Sequence, residues 1–250
     1  MNEPQLNPQN VEAWNEQMAR RYDVDKFHGH PSRLIRRIES KRVALAIRML
    51  APESQDKILE VGCGAGHLLA KIPCGTLHGV DLSDTLLERA KSRLEGRAEI
   101  QKADAHDLPF KDDTFDKVLC SEVLEHVLEP GKVLREMLRV SRDGATVVVT
   151  IPYEKMINIA KQTLMKLRIF NFLLATNRDS SYKMSEKMTD EWHLHAFSLA
   201  LLRKFCPAGL SEQRALRLPW LAPVHFVVLY KVEKDAAGRD LRSPGENPKD

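Results

Sequence analysis

The sequence predicts an α/β fold: a doubly wound, mostly parallel seven-stranded sheet with a terminal antiparallel strand pair and a helical insertion after the fifth strand. Three observations carry this expectation. From Lys57 onward strand and helix signals alternate, which implies a parallel sheet with helices on both faces. A glycine-rich turn, Gly62-Cys63-Gly64-Ala65-Gly66, directly follows the first of these strands. Near the C-terminus two apolar runs flank Pro219-Trp220-Leu221-Ala222-Pro223 and read as the antiparallel pair.

Taken in order, residues 1–27 form an N-terminal extension whose first ten or so residues are polar and frayed. Between Pro31 and Leu50, apolar Leu34, Ile35, Ile38, Val43, Ile47 and Leu50 recur at helical spacing, and Arg33, Arg36, Arg37, Lys41 and Arg42 fall mostly on other faces. Two readings stand for this helix: packing beside the sheet with a solvated basic face, or attraction of an anionic substrate or membrane surface. Strands are expected at 57–61, 76–81, 97–101, 115–120 and 145–151, then at 212–218 and 224–232. Residues 28–233 make one domain, interrupted by an insertion at 154–192, and 234–250 form a flexible tail.

Ligands of such sheets sit at the carboxyl ends of the strands, beside the topological switch point. Glu60, Asp81, Asp104 and Ser121 all fall at or near those ends, so one ligand could touch them all. Asp81 closes the second strand about 20 residues after the glycine loop, where a carboxylate can accept both hydrogens of a ribose diol. The loop reads Glu60-x-Gly62-x-Gly64-x-Gly66 rather than the G-x-G-x-x-G of dinucleotide folds. A carboxylate beside it repels a pyrophosphate and suits an ammonium or sulfonium group, which favours S-adenosylmethionine over NAD.

These blocks resemble the class I S-adenosylmethionine-dependent methyltransferases. Glu60 to Gly66 is similar to the first motif of that family, Val80-Asp81-Leu82-Ser83 to its second, Ala103-Asp104-Ala105-His106-Asp107-Leu108-Pro109-Phe110 to its third, and Phe115 to Val127 to its fourth strand and the turn after it. The resemblance covers residues 57–151. It implies that Gly62, Gly64 and Gly66 shape the cofactor loop, Glu60 meets the amino-acid portion, Asp81 with Leu82 holds the ribose, Asp104 and Ala105 border the adenine, and Ser121 adds a contact. The terminal strand pair is likewise a feature of that fold.

Transfer from a sulfonium is mainly in-line positioning, but a hydroxyl acceptor must also lose a proton, and histidine is the usual base. His126 has Glu122 and Glu125 at i−4 and i−1, a cluster that could orient a base or hold a hard cation. Its segment is similar to one in ubiquinone-pathway O-methyltransferases. A helix-start carboxylate beside a packed histidine is the plainer reading, and no metal ligand is assigned. His193 and His195 lie in Trp192-His193-Leu194-His195-Ala196-Phe197-Ser198, which resembles a His-x-x-x-Phe-Ser/Thr segment of small-molecule methyltransferases with His193 at the matching position. In an extended segment both would share a face and point into the pocket. His193 and His126 are therefore the catalytic candidates, with Tyr153 behind them.

The insertion carries Leu164, Leu167, Ile169, Phe170, Phe172, Leu173 and Leu174 together with Lys161, Lys166 and Arg168. It is expected to be a lid over the acceptor, an interfacial helix touching lipid through 156–175, or plain core. Either functional reading implies a hydrophobic or lipid-like acceptor.

Composition narrows the partners. A net charge of +3 over 250 residues lacks the concentrated basic footprint of a nucleic-acid binder. Four scattered cysteines without C-x-x-C spacing indicate neither a disulfide framework nor a zinc site, and the polar start carries no signal segment, so a cytoplasmic protein, with membrane association left open, is expected. Cys120-Ser121-Glu122-Val123 stands where methyltransferases of adenine or glutamine amides carry Asn/Asp-Pro-Pro-Tyr, and Cys120 lacks the proline expected beside a cytosine-methylating thiolate. The sequence thus predicts methyl transfer to a small apolar acceptor, preferentially at oxygen. RNA or protein methylation and a non-catalytic cofactor-binding regulator are the alternatives.

Overall fold

A computed structural model describes residues 7, 9–21, 32–166, 193–219 and 224–234. Five strands, β1 (Lys57–Val61), β2 (Thr76–Asp81), β3 (Ala98–Lys102), β4 (Phe115–Ser121) and β5 (Ser141–Pro152), run parallel, and β6 (Leu210–Leu218) and β7 (His225–Val232) close the sheet antiparallel in the order β3-β2-β1-β4-β5-β7-β6. The seven-stranded architecture and its terminal pair are as the sequence predicts. β5 starts four residues earlier than expected. Its Ser-Arg-Asp-Gly opening reads as a turn, yet Ser141 pairs with Phe115 across a bulge and Gly144 takes φ 72°.

Alternation along the central strands sorts the core into two layers. Leu59, Val61, Val118, Cys120, Val147 and Val149 point to the side covered by α4 (Pro130–Val140), where Val133, Leu134 and Met137 meet them. Ile58, Leu119 and Val148 point to the opposite side, against Val43, Ala46 and Leu50 of α2 (Arg33–Leu50) and Leu87, Ala90 and Leu94 of α3 (Asp84–Leu94). Leu119 is wholly buried at the centre, so truncating it to alanine should cost about 2–5 kcal/mol.

The basic face of α2 differs from the expectation. Arg42 is buried, as is Glu39 one turn before it, because both reach under the sheet's carboxyl edge. Helical periodicity alone assigns an arginine to solvent; here buried acceptors override it.

Part of the N-terminal extension is ordered as α1 (Val11–Arg21) and packs on α3. Ala19 joins Ala65 of the glycine loop and Leu86 in a small apolar cluster. Ser83, the N-cap of α3, accepts from Leu86 N–H at 3.2 Å and donates its own hydroxyl to Glu16 at 2.6 Å, and Thr85 bonds the other Glu16 oxygen. Lys102 bridges Glu12 and Asp84, 2.6 Å from each.

The insertion begins as α5 (Glu154–Lys166), and α6 (Leu199–Phe205) follows it, capped by Ser198. The remainder of the insertion, 167–192, with the apolar residues from Leu167 to Leu174, lies outside the described residues, as does the tail from 235. Among the described residues no helix is long and apolar enough to cross a membrane.

Candidate active site

The glycine loop turns β1 into the crevice. Gly62 and Gly64 both take positive φ, 69° and 51°, which a side chain disfavours. At Gly62 the space is filled by Val123, whereas a Cβ on Gly64 would meet nothing within 4 Å among the described residues. Gly64 thus leaves an open cradle facing the crevice. Gly66 lies where the loop passes beneath Ala90 and Leu94 of α3.

Two acids flank the cradle. Asp81 accepts from Gly64 N–H at 2.8 Å and from Ser83 N–H at 2.9 Å, and burial raises its carboxyl above the usual aspartate range. Glu60 is buried and accepts from Leu69 N–H at 3.2 Å. Burial pushes its carboxyl up to about 8, against the pull of Leu69 N–H and Arg42 and with added repulsion from Asp81. Such a group gains from a neighbouring cation and loses beside a phosphate. An uncluttered glycine and two partly desolvated acids therefore fit an adenosyl sulfonium with its amino-acid tail: Asp81 would take the ribose and Glu60 the ammonium end.

The third motif borders the same edge. Ala103 N–H bonds Asp81 O at 3.1 Å, which brings Asp104 next to β2. Asp104 accepts from His106 N–H at 2.9 Å and stands 2.6 Å from His106 Nδ1, a bond that leads in holding its carboxyl below the ordinary range. Glu129 N–H donates to His106 Nε2 at 3.2 Å, so Nδ1 carries the hydrogen. Ala105 and Leu82 are partly exposed beside these acids.

Ser121 lies at the end of β4, but its hydroxyl is taken by Arg42 and by Thr150 Oγ1, 3.0 Å away. The hydroxyl is thus engaged inside the protein. Sequence reasoning did not find the network to which it belongs. Arg42 bonds both oxygens of Glu39, Ser121 Oγ and Thr150 Oγ1, and stands 3.9 Å from Glu122. Glu122, itself at φ 56°, accepts from Thr150 Oγ1 at 2.7 Å and has His225 Nδ1 3.0 Å away. Burial works against its ionisation, yet the neighbouring His225, Arg42 and Thr150 hold its carboxyl below the usual glutamate range. Arg42 is correspondingly held charged, since Glu122 and Glu39 outweigh its own burial.

Beyond Glu122 a short turn carries Glu125 and His126. Burial, then Glu122, hold Glu125 well above the carboxylate range, and among the described residues its Oε2 has no hydrogen-bond partner. The backbone of Glu125 anchors the chain after the insertion, because Leu194 and His195 N–H donate to its carbonyl at 2.7 and 3.3 Å. This brings the two catalytic candidates together: the His126 and His193 rings meet edge to face, 4.8 Å between centroids. One ligand atom each from Glu125, His126 and His193 falls within 4.8 Å of the others.

His195 does not join them. Its Nε2 pairs with Val127 O at 2.9 Å and its ring packs against Phe197 and Phe205, since residues 193–198 bend rather than run extended. The alternation argument for a shared face therefore fails. Tyr153 is half-buried with its ring against Phe226, 5.1 Å between centroids. Cys120 is fully buried and burial raises its thiol, as expected of an inert strand cysteine.

With this geometry in hand, the comparisons agree. Residues 59–149 match the methyltransferase domain family. A demethylmenaquinone methyltransferase of Clavibacter sepedonicus is 42% identical over 106 residues, covering 41% of this chain and 43% of that one. The ubiquinone/menaquinone biosynthesis C-methyltransferase UbiE of Pseudomonas putida is 28% identical over 183 residues, 66% of this chain and 68% of its own. The solved PH0226 protein of Pyrococcus horikoshii shares the fold at TM-score 0.61 and 17% identity, over 87% of this chain and 99% of that one. Residues 59–149 thus carry a methyltransferase domain, and the seven-stranded order and acid-flanked glycine loop around it are those expected of the class I S-adenosylmethionine-dependent type. In the first of these alignments the chain spans less than half of the relative's length.

Proposed function

We propose that the protein transfers the methyl group of S-adenosylmethionine to a small, apolar or lipid-like acceptor at oxygen, with His193 as the base and His126 beside it. The observation that carries this reading is the His126–His193 pair, which adjoins the end of β4 next to the cofactor crevice. The cofactor supplies an electrophilic methyl carbon. What this chain must add is alignment and a place for the acceptor's proton. Glu60, Gly62, Gly64, Gly66, Asp81, Leu82, Asp104, Ala105 and the backbone of Ser121 would hold the donor.

An apolar acceptor is supported by α5, whose first residue Glu154 lies 2.7 Å from His193 and which leaves Ile159 exposed one turn from the exposed Lys155. A helix of that kind can pass a lipid-like molecule from a membrane surface to the pocket. A second reading, methylation at a quinone carbon, is favoured by the two quinone-pathway relatives. A hydroquinone carbon becomes nucleophilic once its phenol is deprotonated, so the same base would serve.

The test offers the protein S-adenosylmethionine with a polyprenylated catechol, with demethylmenaquinol or with phosphatidylethanolamine vesicles, and identifies both S-adenosylhomocysteine and the methylated atom. Turnover on the catechol oxygen supports the first reading and turnover on the quinol carbon the second. Methylation confined to the vesicle amine overturns both. Tight cofactor binding without turnover on any of these or on cell extract would make the protein a regulator.

A further inference from the structure

Glu154 is the first residue of α5, and its side chain is 11% exposed. One carboxylate oxygen, Oε1, lies 2.7 Å from His193 Nδ1. A carboxylate has no hydrogen to give, so Nδ1 carries the proton of the neutral ring and Nε2 keeps its lone pair.

The partners are fixed from separate directions. His193 is set by the backbone bonds that tie Leu194 and His195 to Glu125 O. Glu154 is set by Tyr153, whose N–H donates to Val224 O at 2.7 Å and whose carbonyl accepts from Met156 and Ile157. Neither bond depends on the other, yet the two side chains meet at hydrogen-bond distance. The His126 ring also meets His193 edge to face, so the imidazole has a packing partner as well as a hydrogen-bond partner.

We infer that Glu154 is a positioning residue for His193: it holds the ring in the Nδ1–H tautomer, aims Nε2 at the acceptor and stabilises the imidazolium that forms during transfer. The inference rests on the reading of His193 as the base. In the reaction the acceptor's hydroxyl proton moves to Nε2 while an oxygen electron pair forms the new bond to the methyl carbon. The pair of the broken carbon–sulfur bond stays on sulfur, and the imidazolium later returns its proton to solvent. A carboxylate that orients a histidine in this way raises the fraction of rings in the productive state and offsets the positive charge.

The same neighbourhood has a rival use. Glu125, His126 and His193 could hold a divalent cation, and Glu125 Oε2 is buried without a hydrogen-bond partner among the described residues. Glu154 would in that case orient a metal ligand rather than a base.

Nitrogen-15 NMR of the full-length, imidazole-labelled protein, recorded where the ring is neutral, distinguishes these. His193 is expected as Nδ1–H in the wild type, and Glu154→Ala is expected to move the population toward Nε2–H. With whichever of the catechol or quinol acceptors is turned over, kcat of Glu154→Ala should fall roughly 100-fold while KM for donor and acceptor stays within about twofold. Glu154→Gln, which keeps an acceptor oxygen and loses the charge, should restore the tautomer and only part of the rate. An Nε2–H ring in the wild type overturns the inference even where the alanine variant fails to fold. Unchanged kcat in Glu154→Ala, with a fall in His193→Ala, overturns it and spares the base; unchanged kcat in His193→Ala removes the base itself. Turnover abolished by EDTA and restored by Mg²⁺ or Zn²⁺ would reassign His193 to the metal and also overturn it.

Discussion

Val123 occupies the volume that a side chain on Gly62 would need, with Cγ1 3.0 Å and Cβ 3.2 Å from the position of an added Cβ. Two residues further on, Gly64 faces open space at φ 51°. The two glycines therefore serve different ends, one the packing of β1 against the turn after β4, the other access for a ligand.

Alanine at each should separate these roles. Gly64→Ala is expected to cost only the left-handed backbone penalty, about 1–2 kcal/mol, while its methyl intrudes on the cradle and weakens cofactor affinity at least about tenfold. Gly62→Ala adds a clash with Val123 of about 1–3 kcal/mol to the same backbone penalty and should lower the melting temperature more. Paired calorimetric titrations and melting curves check this; equal effects of the two variants on stability would contradict it.

Glu60 should make the cofactor-free protein more stable in mild acid. Its folded value of about 8 lies above the ordinary 4.5, so between those values the native state holds a proton that the unfolded chain has lost. Stability then falls as pH rises through that window, by an amount on the order of a few kcal/mol in total. Glu60→Gln is expected to melt higher than the wild type at pH 8.5 and to converge with it near pH 4.5. A cationic cofactor favours the ionised acid, so wild-type binding should release a proton near pH 7. Titration in buffers of different ionisation enthalpy reads that release directly, and Glu60→Gln should lack it.

Arg42 neutralises Glu39 and Glu122 under the crevice. Arg42→Met should therefore destabilise by about 3–5 kcal/mol, the usual cost of stranding a buried partner charge. Adding Glu39→Gln should recover part of that loss. Urea unfolding of the two single variants and the double variant measures the coupling, and strict additivity would show that the residues act separately.

Much of the architecture was legible because it is written in local pattern. The strands announce themselves as short apolar runs, and the loop as glycines flanked by two acids. Arg42 was not legible, since its acceptors Ser121, Glu122 and Thr150 lie far along the chain and periodicity says nothing of them. The docking of α1 was missed for the same reason: Glu16 acquires meaning only beside Ser83 and Thr85. For His195 the error was one of local conformation. Alternation presumes an extended chain, and the bend at 194–195 turns that imidazole toward Phe197 and Phe205.

Acid should release α1 before the rest of the fold. Burial opposes ionisation of Glu16, but hydrogen bonds from Ser83, Thr85 and Arg20 bring it down to about 2. The stabilisation is complete above the ordinary value of 4.5 and is lost as pH falls from there toward 2. Trp14 lies on α1, so its emission in a Trp192→Phe/Trp220→Phe background should shift within that window ahead of the far-ultraviolet dichroism. In Glu16→Gln the shift should be present already at pH 7.

Glu122 is gripped from both extremes of the sequence, by Arg42 from α2 and by His225 at the first residue of β7. A nascent chain that has emerged only as far as β5 already contains the glycine loop, Asp81 and every parallel strand. It still lacks His225, whose Nδ1 lies 3.0 Å from Glu122 Oε2. On the ribosome, then, every residue that lines the glycine loop has been made before the last partner of Glu122, and the final antiparallel strand completes the acidic floor.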